Sequence, residues 1–256
     1  MDLYVEMSKH PVFTIADVNH YYHNVGSARS AVKRLLSHGK ALKIRNDRYT
    51  CVSAERGGPV ADRFQIASSI TASSCVSHHT AMEYYGITDQ VFYEVYVSSG
   101  TRFQDFEFDG YRYHYVKARL TEGVESSPFS GGIRVTDKER TLADSLKDME
   151  KIAGPEELIA NLQNMSRIRE EKLLYYLAAY DNQFLYQKAG FLLWDFRRSL
   201  GLSDHFFEVC HDRAGQSKRY LIKEPQSGIY NNEWKLIVPS NIMHMKNGEG
   251  LTDAAV

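Results

Sequence analysis

Apolar and polar residues between positions 26 and 52 change from a helical to a strand-like repeat within one short stretch of chain. The first half places its apolar residues on one helical face, namely Ala28, Ala31, Val32, Leu35 and Leu36. Ser27 is predicted to cap this helix and Gly39 to end it. Beyond Gly39, apolar and polar residues alternate on both sides of Asn46-Asp47, which predicts a hairpin of two strands.

Two shorter helical patterns precede this stretch. The segment from Asp2 to Lys9 fits a first helix, and Thr14 is predicted to cap a second helix that reaches Tyr22. Three helices followed by a hairpin, in little more than fifty residues, is the order of elements in a winged helix-turn-helix domain. We therefore expect such a domain over residues 1–56, with its third helix as the recognition helix.

The chain beyond residue 56 mixes helical and strand-like patterns. The run from Ser53 to Val60 concentrates glycine and proline, so it predicts a domain boundary. Helices are expected at 62–70, 77–86, 138–147, from 155 onward, at 168–179 and at 185–200. Strands are expected at 91–98, 103–108, 111–116, 133–135, 206–209, 219–222 and 234–237. The pattern predicts an α+β protein, in which a larger C-terminal α+β domain at 57–245 carries a mixed or antiparallel sheet and a helical segment.

Local signals support several of these elements. Asp109-Gly110 predicts a tight hairpin turn. Thr136 and Glu139 have the spacing of a capping box for the helix at 138–147, and Pro155 favours a helix start. Residues 246–256 are small and polar, and we expect them to form a flexible tail.

Charge is distributed unevenly along the chain. Its 256 residues are 43% hydrophobic and carry a net charge of −1, which suits a globular protein of two modest domains. Residues 1–60 contain nine Lys or Arg and five Asp or Glu, a balance of +4, and the remainder contains 22 and 27, a balance of −5. The basic part therefore coincides with the winged helix, and charge alone predicts no second surface for polyanions.

Several classes of protein are not indicated. The three cysteines, Cys51, Cys75 and Cys210, are isolated from one another, which predicts a reduced protein without zinc or disulfides. The N-terminus does not resemble a signal peptide, and no apolar run approaches the ~20 residues of a spanning helix, so we expect a cytoplasmic protein with no membrane partner. Without a P-loop, a Rossmann fingerprint or a serine-hydrolase elbow, we expect no cofactor and no enzymatic activity.

The polar face of the third helix carries cations and hydroxyl groups but no carboxylate. Such a face suits phosphates and base edges, and the hairpin adds two arginines beside its turn. The candidate DNA contacts are Ser27, Arg29, Ser30, Lys33 and Arg34 on the helix, and Lys43, Arg45, Asn46 and Arg48 on the wing. Because one such domain covers a short site, we expect two copies on an inverted repeat of double-stranded operator DNA.

Five segments together resemble the AbiEi family, the antitoxins of type IV toxin-antitoxin systems in prokaryotes. They are the winged N-terminal region, SHHTAMEYYGITDQ at 77–90, VTDKERTLADSL at 135–146, YQKAGFLL at 186–193 and WKLIVP at 234–239. The resemblance implies a winged helix that binds operator DNA and represses its own operon. It also implies a C-terminal domain that opposes a nucleotidyltransferase-like toxin, without holding that toxin in a stable complex.

Two alternatives remain open at this point. The chain could be a protein-interaction module that binds a partner toxin directly. It could also be a metal-dependent nuclease, because Glu233 and Lys235 form an E-x-K motif on an expected strand, with Asp212 as a possible second acid. His78 and His79 lack acidic or cysteine partners at helical spacing, which favours structural or surface roles for both.

Overall fold

The computed structural model describes residues 2–88, 90–223 and 228–246. Helices and mixed sheets make up this part of the chain, so the predicted α+β class is confirmed. The tail predicted at residues 246–256 lies outside the described residues apart from Lys246.

The N-terminal region is a winged helix-turn-helix, as predicted. Its helices are α1 (Leu3–Met7), α2 (Ile15–Tyr22) and α3 (Val25–Ser37), and its wing strands are β1 (Ala41–Arg45) and β2 (Arg48–Cys51). The wing is an antiparallel pair, and Phe13 adds an isolated bridge to Tyr49. The apolar face of α3 is buried in a core that also contains Met7, Phe13 and Val18.

Side-chain caps begin the second and third helices. Thr14 and Asp17 form a capping box at α2, which confirms the predicted cap. The Oδ1 of Asn24 caps α3 by accepting the Ser27 N–H at 2.9 Å. The prediction that Ser27 caps α3 was therefore wrong, because Asn24 lies three residues earlier and starts the helix there.

A mixed six-stranded sheet follows the winged helix in sequence. Its strands are β3 (Cys75–Val76), β4 (Glu94–Ser99), β5 (Phe106–Phe108), β6 (Tyr111–Lys117), β7 (Val124–Ser126) and β8 (Arg134–Thr136), in the order β5-β6-β4-β3-β8-β7. The β4/β6 and β3/β8 pairs are parallel. Asp109 and Gly110 both have positive φ, 51° and 78°, which confirms the predicted tight turn between β5 and β6. Helices α4 (Arg63–Ser69) and α5 (His78–Tyr84) lie before and after β3 in sequence.

The remaining described elements are mostly helical. The helices are α6 (Lys138–Lys147), α7 (Pro155–Asn164), α8 (Glu170–Tyr180), α9 (Gln183–Leu193), α10 (Arg197–Leu200), α11 (Asp204–Arg213) and α12 (Ser240–Lys246), with 3-10 turns at Met149–Ile152 and Trp194–Phe196. A small sheet has the order β10-β11-β9, formed by β9 (Arg219–Tyr220), β10 (Gly228–Asn231) and β11 (Leu236–Pro239).

Two local predictions in this half were wrong. Residues 206–209 form part of helix α11 and not a strand, since Phe206, Phe207 and Cys210 are buried at helical spacing. The capping box of Thr136 and Glu139 does not form. Asp137 caps α6 in its place by accepting the Arg140 N–H, and the Glu139 carboxylate accepts hydrogen bonds from Arg169 instead.

Internal contacts divide the chain into two units. The first comprises residues 1–80 and 92–136, and the second comprises residues 81–91 and 137–256. This division differs from the predicted domains at 1–56 and 57–245, because the winged helix and the six-stranded sheet belong to one unit. Across the predicted boundary, Val52 forms a bridge with Pro59.

No helix in the described part of the chain combines the length and the apolar character needed to cross a membrane.

Candidate nucleic-acid interface

Helix α3 presents the predicted recognition residues on one exposed face. Burial of Ala28, Ala31, Val32 and Leu35 orients the opposite side of the helix outward. The structure places all five predicted helix contacts there, namely Ser27, Arg29, Ser30, Lys33 and Arg34, and each of them is exposed. Ser37 extends the same exposed face toward the end of α3.

The cations on this face are not neutralised by the protein. Among the described residues, no ion pair joins Arg29, Lys33 or Arg34 to a carboxylate. Asp47 lines the same groove as Arg29 and Lys33, and its Oδ1 accepts the backbone N–H of Ile15 at 2.9 Å. The recognition face therefore holds three positive charges that solvent or a ligand must balance.

Two grooves flank the recognition face. One of about 630 Å³ lies against α2 and the wing and includes Arg29 and Lys33 in its lining. The other, of about 760 Å³, is lined by Lys33, Arg34 and hydroxyl groups of α3. Because Lys33 lines both grooves, it stands at the centre of the face.

The second groove is also lined by Gly26 and Ser37 and by Tyr22 and Asn24, none of which was among the predicted DNA contacts. His23, between Tyr22 and Asn24, ends α2 in the left-handed conformation with φ of 52°. This turn brings the end of α2 beside the start of α3. The hydrophobic period of each helix carries no signal for such a turn, although an asparagine just before a helix start is a known cap signal.

The wing residues separate into two groups. Lys43 and Asn46 are exposed, as expected for residues that face a ligand. Arg45 and Arg48 are only partly exposed, and their guanidinium groups contact the rest of the first unit.

Arg45 lies over aromatic rings at the edge of the six-stranded sheet. Its guanidinium carbon is 5.3 Å from the ring centroid of Phe103 and 5.0 Å from that of Phe106. Burial, together with the neighbouring charge of Arg48, lowers the pKa of Arg45 from its usual value. This arrangement is a cation–π contact that holds the wing on the sheet.

Arg48 makes a second link between the wing and the sheet region. Its Nε donates to the carbonyl oxygen of Ser69 at 2.7 Å, and one terminal nitrogen donates to the carbonyl of Asp47 at 2.9 Å. The structure thus gives both arginines partners within the protein, and their contact with DNA phosphate stays a prediction. Planar guanidinium groups bind rings and carbonyls well, and the folded chain supplies both partners.

The E-x-K motif lies in a turn, whereas the nuclease hypothesis placed it on a strand. Glu233 and Lys235 lie in the turn between β10 and β11, so their placement on a strand was wrong. Lys235 donates to Asn232, and Glu233 lies 3.3 Å from the imidazole of His211. No group of three or more His, Cys, Asp or Glu in the described part of the chain is arranged to hold a metal ion.

The buried carboxylates around α6 are paired with other side chains. Asp137 accepts hydrogen bonds from Lys172 and Tyr176 at 2.8 and 2.7 Å. Asp144 accepts one from Tyr180 and lies 3.6 Å from the Nε of Arg140. Burial, the hydrogen bond and the charge of Asp137 raise the pKa of Tyr176, so this phenol stays protonated. We interpret the cluster as a structural network.

His78 and His79 are both buried, so neither has the surface role that was one of the two roles expected for them. The ring of His79 packs on Phe92 with a centroid distance of 3.6 Å. Burial, aided by the charge of Arg63, lowers the pKa of His79 to about 4. This imidazole is therefore neutral at physiological pH.

The chain is similar in fold to a protein of Mycobacterium tuberculosis, described as RV2827C protein, which is known from a crystal structure. The TM-score is 0.63, and the match covers 92% of this chain and 89% of the other at 12% sequence identity. No protein-family model matches the chain, and no curated protein matches it in sequence. At this low identity the likeness establishes a shared fold, and it assigns no activity to the chain.

Proposed function

We propose that this protein binds double-stranded operator DNA through the exposed face of α3. The observation that carries the proposal is the set of three unpaired cations, Arg29, Lys33 and Arg34, on a helix of the size that enters a major groove. Ser27 and Ser30 lie on the same face and supply hydroxyl groups for phosphate or base contacts.

The exposed wing residues extend this contact to the DNA backbone. Lys43 and Asn46 are placed to reach flanking phosphates or the minor groove beside the bound helix. Arg45 and Arg48 stabilise the position of the wing, since they attach it to the sheet region. One domain of this size reads a short site, so we propose that two copies occupy an inverted repeat.

We further propose that the DNA contact serves autorepression, and that the protein is the antitoxin of a type IV toxin-antitoxin system in the cytoplasm. Support comes from the resemblance of the five segments to the AbiEi family and from the winged helix at the N-terminus. In this proposal the chain opposes a nucleotidyltransferase-like toxin without forming a stable complex with it. It requires neither a cofactor nor an enzymatic activity.

A gel-shift experiment tests the DNA proposal. The probe is the DNA upstream of the gene for this protein, and the variant is Arg29→Ala/Lys33→Ala. We expect wild-type protein to shift this DNA and the variant to bind on the order of 100-fold more weakly. The matched control is Lys9→Ala/Arg56→Ala, which removes two cations from the same unit outside the recognition face. Equal losses in both variants would show only general charge attraction and would contradict the proposal.

Co-expression tests the antitoxin role. A nucleotidyltransferase-like protein encoded beside this gene should arrest growth alone, and the full chain should restore growth. If the two proteins purify together at a salt concentration that dissociates protein–DNA complexes, the result would favour the alternative, a module that binds the toxin directly. Growth arrest that persists with the antitoxin candidate present would contradict both hypotheses.

A further inference from the structure

The second unit contains an open groove of about 840 Å³. The end of α6, the 3-10 turn after it, and the starts of α7 and α9 form part of its lining. The segment from Lys218 to Lys223, which includes β9, completes it. Its charged lining residues are Lys147, Asp148, Glu150, Lys188, Lys218, Arg219 and Lys223.

Lys188 is a deeply buried cation in this lining, with 7% of its surface exposed. Its Nζ donates to the carbonyl oxygens of Leu146 and Lys147, both at 3.2 Å, and lies 4.7 Å from the ring centroid of Phe184. Burial lowers the pKa of Lys188 to about 8, although the charges of Glu150 and Asp148 act in the opposite direction. The two nearby carboxylates therefore do not fully offset the loss of hydration of the buried ammonium group.

The acidic residues of the lining are already paired with other cations. Asp148 lies 2.7 Å from the Nζ of Lys147 and 3.2 Å from that of Lys151. Glu150 lies 3.3 Å from Lys151. Since the nearest partners of both carboxylates are Lys147 and Lys151, the described lining keeps an excess of positive charge.

Four cations remain in the lining: Lys188, Lys218, Arg219 and Lys223. Within the described residues, none of them forms an ion pair with a carboxylate. Lys218 contacts the ring of Tyr230 at 4.6 Å, and Arg219 and Lys223 are exposed. A concave surface whose described lining holds five cations and two carboxylates attracts a ligand with several negative charges. The balance of −5 for residues 61–256 carries no sign of this local excess.

Two aromatic side chains border the same cations. Phe184 is half-buried beside Lys188, and Tyr220, which lies between Arg219 and Lys223 in sequence, is 54% exposed. Exposed rings beside cations provide a stacking surface for a nucleobase. The groove volume also falls within the range of small-molecule sites, about 300–1,000 Å³.

We propose that this groove binds a nucleoside triphosphate, with its phosphates on Lys188, Lys218 and Arg219 and its base against Tyr220. Lys188 favours this ligand over a nucleic-acid strand, because only a compact terminal phosphate reaches a cation with so little exposed surface. The site is independent of the recognition face on α3. It makes the second unit a nucleotide-responsive part of the protein.

Isothermal titration calorimetry of the full chain with ATP and GTP tests the site. We expect saturable binding of at least one nucleotide with a Kd below about 1 mM. Lys218→Ala/Arg219→Ala should weaken that binding about tenfold or more. Arg167→Ala/Arg198→Ala removes two exposed cations of the same unit outside the groove, and it should leave the Kd unchanged. Lys188→Met should also weaken binding, with thermal unfolding as the check that this variant folds.

Inorganic triphosphate and Tyr220→Ala separate a nucleotide site from a simple polyanion site. Tyr220→Ala should weaken nucleotide binding several-fold and leave triphosphate binding unchanged. Four outcomes would overturn the proposal: no saturable binding of ATP or GTP, equal loss in the control variant, equal affinity for triphosphate and both nucleotides, or binding of single-stranded RNA without nucleotide binding. The DNA gel shift does not depend on this groove, so failure here leaves the proposed DNA contact intact.

Discussion

The recognition helix and the wing carry the same types of cation within twenty residues of sequence, yet the fold uses them in different ways. Arg29, Lys33 and Arg34 on α3 are exposed and have no carboxylate partner among the described residues. Arg45 and Arg48 on the wing contact rings and a carbonyl oxygen of the same unit. A basic residue of a winged helix is therefore available to a ligand only where the fold leaves its side chain without another partner.

The difference follows from what lies beside each element. The outer face of α3 is exposed in the part of the chain that the structure describes, because the helix buries only its apolar side. The wing lies beside the aromatic residues Phe103 and Phe106, which offer a guanidinium group a partner. Five experiments would break or sharpen this comparison.

Charge reversal on the recognition face should have the largest effect. Arg29→Glu/Arg34→Glu should lower operator affinity on the order of 1000-fold, since each lost contact costs about 1–3 kcal/mol and the new carboxylates repel phosphate. Binding isotherms at fixed salt measure the loss. Both positions are exposed, so the melting temperature should stay within 2–3 °C, roughly the shift of a surface substitution. Unchanged affinity would show that α3 does not contact the DNA.

Removal of the wing arginines should act on stability instead. Arg45→Ala/Arg48→Ala should lower the free energy of unfolding by about 2–4 kcal/mol, because a hydrogen bond to a charged group and a cation–π contact are lost. Operator affinity, measured well below the melting temperature, should change less than about threefold, a small effect on the scale of one lost contact.

A double-mutant cycle isolates the cation–π contact. Arg45→Ala and Phe106→Leu should show a coupling free energy of about 0.5–2 kcal/mol in unfolding. If a wing variant kept its stability but bound all DNA sequences more weakly, this would support the prediction that these arginines contact phosphate.

The two candidate caps of α3 should differ by about 1 kcal/mol. Asn24→Ala removes the side chain that accepts the Ser27 N–H, so urea denaturation should show a loss of about 1 kcal/mol. Ser27→Ala should change stability by less than about 0.5 kcal/mol, because its hydroxyl does not cap the helix. A larger loss of stability for Ser27→Ala than for Asn24→Ala would show that Ser27 caps α3.

The exposed part of the wing should show the smallest effect. Lys43→Ala should weaken operator binding a few-fold and reduce the slope of log affinity against log salt by about 0.9, as for one lost phosphate contact. Its thermal unfolding should match that of the wild type. A salt slope that does not change would show that the wing does not reach the DNA backbone.

Elements with a strong local pattern were predictable from sequence. The period of α3, the cap at Thr14 and the Asp109-Gly110 turn all depend on residues close together in the chain. The error at residues 206–209 has a physical reason as well. Two adjacent phenylalanines and a valine fit a strand by propensity, but burial of Phe206 and Cys210 four residues apart stabilises a helix.

The candidate sites were predictable to different degrees. The five helix contacts follow from one helical face, so the structure exposes all of them. The groove around Lys188 brings together segments near positions 147, 188 and 220, and no local pattern connects them. Its local charge excess also disappears in the charge balance of the whole segment.

By itself, the sequence determined the α+β class, the winged helix and the residues on the open face of α3, because period, capping and turn chemistry act over a few neighbouring residues. Tertiary structure alone decided the roles of Arg45, Arg48 and Lys188. Apart from Asp47 and Phe184, their partners lie about 20 to 60 positions away along the chain, and packing brings each charge to a ring or a carbonyl oxygen. The environment of a charge is a property of the folded chain, and that environment determines whether the charge can bind a ligand.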